Sequence, residues 1–197
     1  MKEIKKMQGP PEIAPEPSPS ITPEMIKDVL EILESKGMIH YSAGGAYIPT
    51  ESGWKLLMEL KPVKEEIFGY GHPEIKASSN SAIRITKGLD IDDATIVVAA
   101  NKACKDLSGD FKAAIKSAGK IEIKIEVEGE EEVFIAYGSP ALKLTSKEEI
   151  LIRKNSIVDG KTLAILSDKS ASELKQTLIE KLRNPQTKVK ITLEIKR

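Results

Sequence analysis

Apolar and polar residues alternate with period two in Glu66–Ile75, Ala82–Thr86, Lys120–Glu128, Glu132–Leu144, Glu149–Arg153 and Val189–Lys196. That period sends successive side chains to opposite faces, so each stretch is predicted to be a half-buried strand. Thr95–Ala100 and Thr162–Ser167 are continuously apolar and are predicted to be strands covered on both faces. Each leads into a predicted helix. The first spans Lys102 to Ser117 with Leu107, Phe111 and Ile115 inward, and the second Lys169 to Arg183 with Leu174, Leu178 and Leu182 inward. A helix between the third and fourth strands of each series implies parallel or crossing strands, whereas the others can pair as hairpins.

Upstream the period changes to that of a helix. Ser20 or Thr22 can cap it, Pro23 and Glu24 suit its first turn, and Met25, Ile26, Val29, Leu30, Ile32 and Leu33 recur until Gly37 stops it. Two short extended pieces, Met38–Tyr41 and Ala46–Pro49, flank a Gly44-Gly45 turn. Thr50 then caps a helix running to Leu60 that is expected to bury Trp54, Leu57 and Met58, with Pro62 ending it. Residues 8–20 hold five prolines and no periodic pattern, so residues 1–20 are expected to be a flexible tail.

Residues 71–118 and 138–185 align without a gap at an offset of 67, and 11 of the 48 pairs are identical. They include Gly71 with Gly138, Pro73 with Pro140, Lys76 with Lys143, Asp92 with Asp159, Thr95 with Thr162 and Lys102 with Lys169. The expected fold class is therefore α+β. Tandem-duplicated strand-strand-strand-helix-strand units, about residues 67–129 and 132–197, form one pseudo-twofold barrel or sandwich over residues 63–197. One unit has too small a core to stand alone, and fusing two buries both apolar faces.

Composition narrows the classes. Forty per cent hydrophobic and thirty per cent charged residues describe a globular chain, and no apolar run is long enough for a membrane helix. The first residues lack the apolar core of a signal peptide, so a cytoplasmic location is expected. A single cysteine, Cys104, excludes an internal disulfide and a multi-cysteine zinc site. Thirty basic and thirty acidic residues leave no net field to attract nucleic acid. Residues 21–66 are acidic, with five basic against eight acidic side chains, and residues 67–197 carry twenty-two against nineteen.

Residues 21–62 resemble the C-terminal half of a winged-helix domain. Leu30, Leu33, Lys36, Gly37, Ile39, Tyr47, Thr50, Gly53 and Leu56 carry the resemblance, and the two helices that normally precede the recognition helix are missing. The duplicated region is similar to an archaeal domain-of-unknown-function family, number 371. The resemblance rests on Gly71-His72-Pro73, Ile85-Thr86, Asp93, Asn101-Lys102-Ala103, Gly138-Ser139-Pro140, Arg153-Lys154, Gly160-Lys161-Thr162-Leu163 and Asp168-Lys169-Ser170. It implies no activity. The family pattern has a histidine near Ser79 and a cysteine at Ala94, so a metal or redox site on those groups is not expected here.

The chemistry on offer is sparse. Between Ile21 and Ile39 two lysines face Glu24, Asp28, Glu31 and Glu34, a balance that repels phosphate and favours a protein partner for the winged-helix-like segment. Asn101-Lys102 and Asp168-Lys169 stand at predicted helix starts, where free N–H groups and a lysine can hold an anion, although Asn101 and Asp168 also read as plain N-caps. His72, in a turn-like break, is replaced by Ser139 in the second repeat, and Cys104 by Ala171. The acidic turns at Asp92-Asp93 and Asp159-Gly160 lack a calcium-loop pattern and read as tight turns.

Lys102, Lys169, Lys76, Lys143 and His72 are the candidate binding residues, with no catalytic residue, metal site or cofactor expected. The expected function is a non-enzymatic binding or regulatory module contacting a macromolecule, nucleic acid included. The alternatives are a small-anion ligand-binding or catalytic barrel and a structural subunit. A basic cleft joining Lys76, Lys87, Lys143 and Lys154 would mark the first reading. A closed pocket on His72 would mark the second, and an apolar patch around Ile39, Tyr41 and Tyr47 the third.

Overall fold

Thr22 caps α1 (Pro23–Ser35): its Oγ1 accepts a hydrogen bond from Met25 N at 3.2 Å. The computed structural model describes residues 22–117 and 119–196, so the proline-rich tail expected at 1–20 lies outside the described residues. Gly37, at φ +66°, ends α1 in the left-handed conformation while Met38 N donates to Leu33 O. Strands β1 (Ile39–Tyr41) and β2 (Tyr47–Pro49) form a two-stranded antiparallel ladder. Helix α2 (Glu51–Leu60) follows. Thr50 fastens it: its Oγ1 donates to Gly37 O at 2.6 Å and accepts from Gly53 N at 3.1 Å. A Cβ on Gly53 would lie 1.8 Å from Met38 O, so the Thr-x-x-Gly spacing records a close approach. Trp54, expected to be buried, is 53% exposed, while its neighbour Gly53 is the residue that meets Met38 and Pro49; the side chains of Leu57 and Met58 lie outside the described residues.

The chain divides into two compact units, Met1–Leu57 and Met58–Arg197. The second contains β3 (Val63–Tyr70), β4 (Ala82–Thr86), β5 (Thr95–Val97), α3 (Gly109–Lys116), β6 (Lys120–Val127), β7 (Glu130–Tyr137), β8 (Glu149–Arg153), β9 (Thr162–Ala164), α4 (Gln176–Leu182) and β10 (Lys188–Ile195). Strands β7, β8 and β9 each begin 67 residues after β3, β4 and β5.

Two four-stranded sheets result. One is antiparallel throughout, in the order β3-β10-β6-β7. The other, β5-β4-β8-β9, pairs β4 with β8 antiparallel and is flanked by parallel β5 and β9. The inner faces, among them Ile67, Ile83, Ile85, Ile123, Phe134, Ile150, Ile152 and Ile191, share one core with Phe111, Ile115, Leu178 and Leu182 of the helices. Of the barrel and sandwich expected, no closed barrel forms. Strands β5 and β9 are three residues long, and each sheet edge meets the other sheet through a single bridge, Tyr70 with Val98 and Tyr137 with Ile165. The hairpin expected between β4 and β5 is also replaced, by parallel pairing. The turn between β6 and β7 is two residues, Glu128 and Gly129, both at positive φ as a tight hairpin turn requires.

The helices start later than expected. A short 3-10 turn, Cys104–Asp106, precedes α3, and Ala171–Glu173 precedes α4. Leu107 and Leu174 then adopt extended backbone, breaking the helical run that Lys102 and Lys169 were expected to open. Ser108, through Phe111 N, caps α3. Gly71 and Gly138 are required by close packing: a Cβ would lie 2.3 Å from Leu182 O at the end of α4 and 1.8 Å from Ile115 O in α3, respectively. So the segment after β3 is sealed by α4, and the segment after β7 by α3.

Candidate functional site

Strand periodicity sends Ile83, Ile85, Ile150 and Ile152 into the core and leaves Arg84, Thr86, Glu149 and Arg153 on the other face of the β4-β8 ladder. Arg84 is only 7% exposed there and is fully engaged. Its Nε donates to Glu149, its Nη2 to the Asp90 carboxylate, and its Nη1 to Asp90 O at 3.0 Å and Thr95 Oγ1 at 3.1 Å. Lys161 Nζ donates to the other Glu149 oxygen at 2.9 Å. Burial opposes ionisation of Glu149, but the hydrogen bonds from Arg84 and Lys161 outweigh it and hold the carboxyl below its ordinary range. Arg84 likewise holds Asp90 below its ordinary range. Two residues along, Arg153 donates to Thr162 Oγ1 at 3.1 Å and to Asp159 at 2.5 Å. The acidic turns themselves match the expected tight turns: Asp92 accepts from Thr95 Oγ1 and Ala94 N, and Asp159 from Thr162 Oγ1 and Lys161 N. With every Arg84 nitrogen committed, this cluster holds the sheet rather than a ligand.

A cleft of about 540 Å³ beside it is lined by Glu74, Lys76, Ser78, Ile91, Asp92 and Asp93. Lys76 is therefore in a cleft, but one with three carboxylates to its single ammonium, which disfavours an anion. Lys143 is exposed. Lys143, Lys87 and Lys154 do not line this cleft with Lys76; Lys87 pairs with Asp106 at 3.0 Å and Lys154 with Glu173 at 2.7 Å.

Lys102 and Lys169 each meet a buried carboxylate. Lys102 Nζ donates to Glu65 Oε2 at 2.5 Å, and Lys169 to Glu132. Glu65 also accepts from Ser108 N at 2.7 Å, and Glu132 from Lys175 N at 3.0 Å. Burial raises Glu65, yet the hydrogen bonds from Lys102 and Ser108 prevail and keep it ionised below its ordinary range. The lysines thus tie the loop before each 3-10 turn to strands β3 and β7. Asn101 and Asp168 bond the outer edges of β3 and β7 instead of capping helices, accepting from Phe68 N and Ile135 N at 2.9 Å each. The glutamates were missed in the sequence, although a signal existed: Glu65 and Glu132 fall in the inward phase of strands β3 and β7 and lie 67 residues apart.

His72 is half-buried. Its Nδ1 accepts from Glu74 N at 3.2 Å and its backbone N donates to Leu182 O at 2.8 Å, so it is held in a turn against the end of α4. Cys104 is buried; burial first and the Asp159 charge second push its thiol up to about 12. Among the described residues no cluster of histidine, cysteine and acidic side chains could hold a metal ion, and no helix is long and apolar enough to cross a membrane.

The first unit presents a different surface. None of the residues of α1 is buried, although Met25, Ile26, Val29 and Ile32 share its apolar side and are each about half exposed. On the adjoining hairpin Tyr41 and Tyr47 pack edge to face, with ring centroids 5.0 Å apart, and both remain exposed with Ile48.

Residues 67–196 match the family described as Domain of unknown function (DUF371). Over 116 residues the chain is 31% identical to Uncharacterized protein MJ0206 of the archaeon Methanocaldococcus jannaschii, an alignment covering 57% of this chain and 86% of that protein.

Proposed function

The chain belongs to the DUF371 family of domains of unknown function, and on that premise we propose that it is a non-enzymatic binding module that engages a protein partner through its N-terminal unit. The reading rests on one observation, the apolar side of α1 with no residue buried. Large exposed apolar patches mark interaction surfaces, and seven exposed apolar or aromatic side chains here belong to one helix and its hairpin. Asp28 flanks that side and Glu24, Glu31 and Glu34 occupy the polar side of the same helix, so the unit is acidic, the favoured partner presents a basic, apolar segment, and phosphate is repelled. In this reading residues 21–62 are a winged-helix-like element turned to protein docking in the cytoplasm. The DUF371 unit, a pseudo-twofold tandem repeat, is its carrier, and many of its charged side chains, Arg84, Lys102 and Lys169 among them, are engaged in internal pairs.

The test compares the full chain with Val29→Glu/Ile32→Glu, both on exposed positions, by cross-linking and co-purification from the source cells and by light scattering of the purified proteins. A defined partner with a basic segment, retained by the parent chain and lost by the variant, is expected. Equal partner sets for both chains, or self-association of the pure parent that the variant abolishes, would overturn the assignment.

A further inference from the structure

The outer face of the antiparallel sheet is a ladder of ion pairs with two exceptions at opposite corners. Lys64 pairs with Glu194, Lys190 with Glu66, and Lys124 with Glu126 and Glu131. Among the described residues Lys188 and Lys120 have no carboxylate within pairing distance. Each instead lies directly across from an exposed tyrosine, Lys188 opposite Tyr70 and Lys120 opposite Tyr137. Directly opposed residues project to the same side of a sheet, so each corner joins a ring to a cation that has no carboxylate partner among the described residues.

The two corners are not equal. Beside Tyr70, Phe68 is also exposed, and a groove of about 360 Å³ runs between them, Lys188, Ala99 and Asn101. Asn101 Oδ1 is occupied by Phe68 N, leaving its amide NH₂ without a partner among the described residues. Ala99 sits at φ +49°, and its methyl leaves the groove open. At the other corner Leu166 stands where Ala99 does, at φ +50°, Ile135 replaces Phe68 and Asp168 replaces Asn101. A carboxylate there repels phosphate, and the second aromatic ring is gone.

We infer that the groove formed by Phe68, Tyr70, Asn101 and Lys188 binds single-stranded nucleic acid. Base faces stack on the two exposed rings, the Asn101 amide donates to a base edge, and Lys188 meets the adjoining phosphate. Stacking on aromatic side chains with a cation tracking the backbone is the general chemistry of single-strand recognition, and an open groove on a sheet face suits a strand passing across it. Because one cation contributes, binding is weak and its logarithm falls with the logarithm of salt concentration at a slope of about −0.7, far shallower than for a polycationic surface. This site lies on the second unit and does not depend on the protein-docking role proposed for the first.

The test is fluorescence anisotropy of a labelled oligothymidylate of about 12 nucleotides with the full chain. Saturable binding is expected, weakened about fivefold or more by Tyr70→Ala, weakened comparably by Lys188→Glu, and left within about twofold by Tyr137→Ala. Lys188 is an exposed side chain, so its variant folds even where Tyr70→Ala disturbs the strand end, and circular dichroism verifies both. Absence of saturable binding by the parent chain would overturn the inference. So would equal loss in Tyr137→Ala and Tyr70→Ala, a steep salt slope, or binding of a free mononucleotide as tight as that of the oligomer.

Discussion

Replacing Arg84 with methionine tests whether the charged cluster on the β4-β8 ladder holds the fold. The parent guanidinium makes four hydrogen bonds to Glu149, Asp90 and Thr95. Methionine keeps the aliphatic stem opposite Leu151 but removes the charge. Deleting one partner of a buried ion pair typically costs about 3–5 kcal/mol, since the other charge is stranded. Glu149 is not wholly stranded, because Lys161 still donates to it, and the Asp90 carboxylate, 71% exposed, simply rehydrates. Its share is that of a surface pair, about 0–1 kcal/mol. A net loss of about 2–3 kcal/mol is therefore expected at neutral pH, with Tm falling by about 5–10 °C.

The pH dependence has a definite sign. Glu149 and Asp90 are held below their ordinary values, so the stability they contribute is complete above the unfolded carboxylate range and is lost as pH falls through their folded values. The gap between parent and Arg84→Met should accordingly be widest at pH 7 and close in acid. Urea unfolding followed by far-UV circular dichroism measures it. Pairing with Glu149→Gln completes a double-mutant cycle whose coupling should exceed about 0.5 kcal/mol. A variant within about 0.5 kcal/mol of the parent, or a gap that widens in acid, would refute the argument.

Two further outcomes follow from packing. Gly138→Ala should destabilise by about 3 kcal/mol or more, since its Cβ meets Ile115 O at 1.8 Å, whereas Gly109→Ala, at an open helix start, should be neutral or stabilise by up to about 1 kcal/mol in the same unfolding assay. The Cys104 thiol, buried and raised to about 12, should resist an aromatic disulfide reagent at pH 8 in the native protein and react at once in denaturant; rapid native labelling would contradict its placement.

Hydrophobic alternation located β4 and β8 to the residue but carried β3 and β7 too far, to Ile75 and Leu144. The reason is physical. Ile75 and Ala77, like Leu142 and Leu144, are buried at alternate positions, yet Gly71 and Gly138 have already turned the backbone under a helix, away from the ladder. Period two reports alternate burial, and a hydrogen-bonded neighbour is a separate condition. Lys102 and Lys169 were legible as repeated residues, but not their state: Lys102 is matched by a glutamate 37 residues upstream, and only the fold brings it near. Lys188 and Tyr70 are farther apart still in sequence and become neighbours through the position of β10.

That position also sets a timetable. Strand β10 lies between β3 and β6, so a central strand of the antiparallel sheet is made after the strands it joins. On a ribosome adding about 5–20 residues per second, β3 waits roughly 6–24 s for the roughly 120 residues that bring its partner. Throughout that interval its hydrogen-bonding edge and inward Ile67 are open to other nascent chains. Early release or a pause before Lys188 should therefore leave an aggregation-prone chain even though most of its strands are already made.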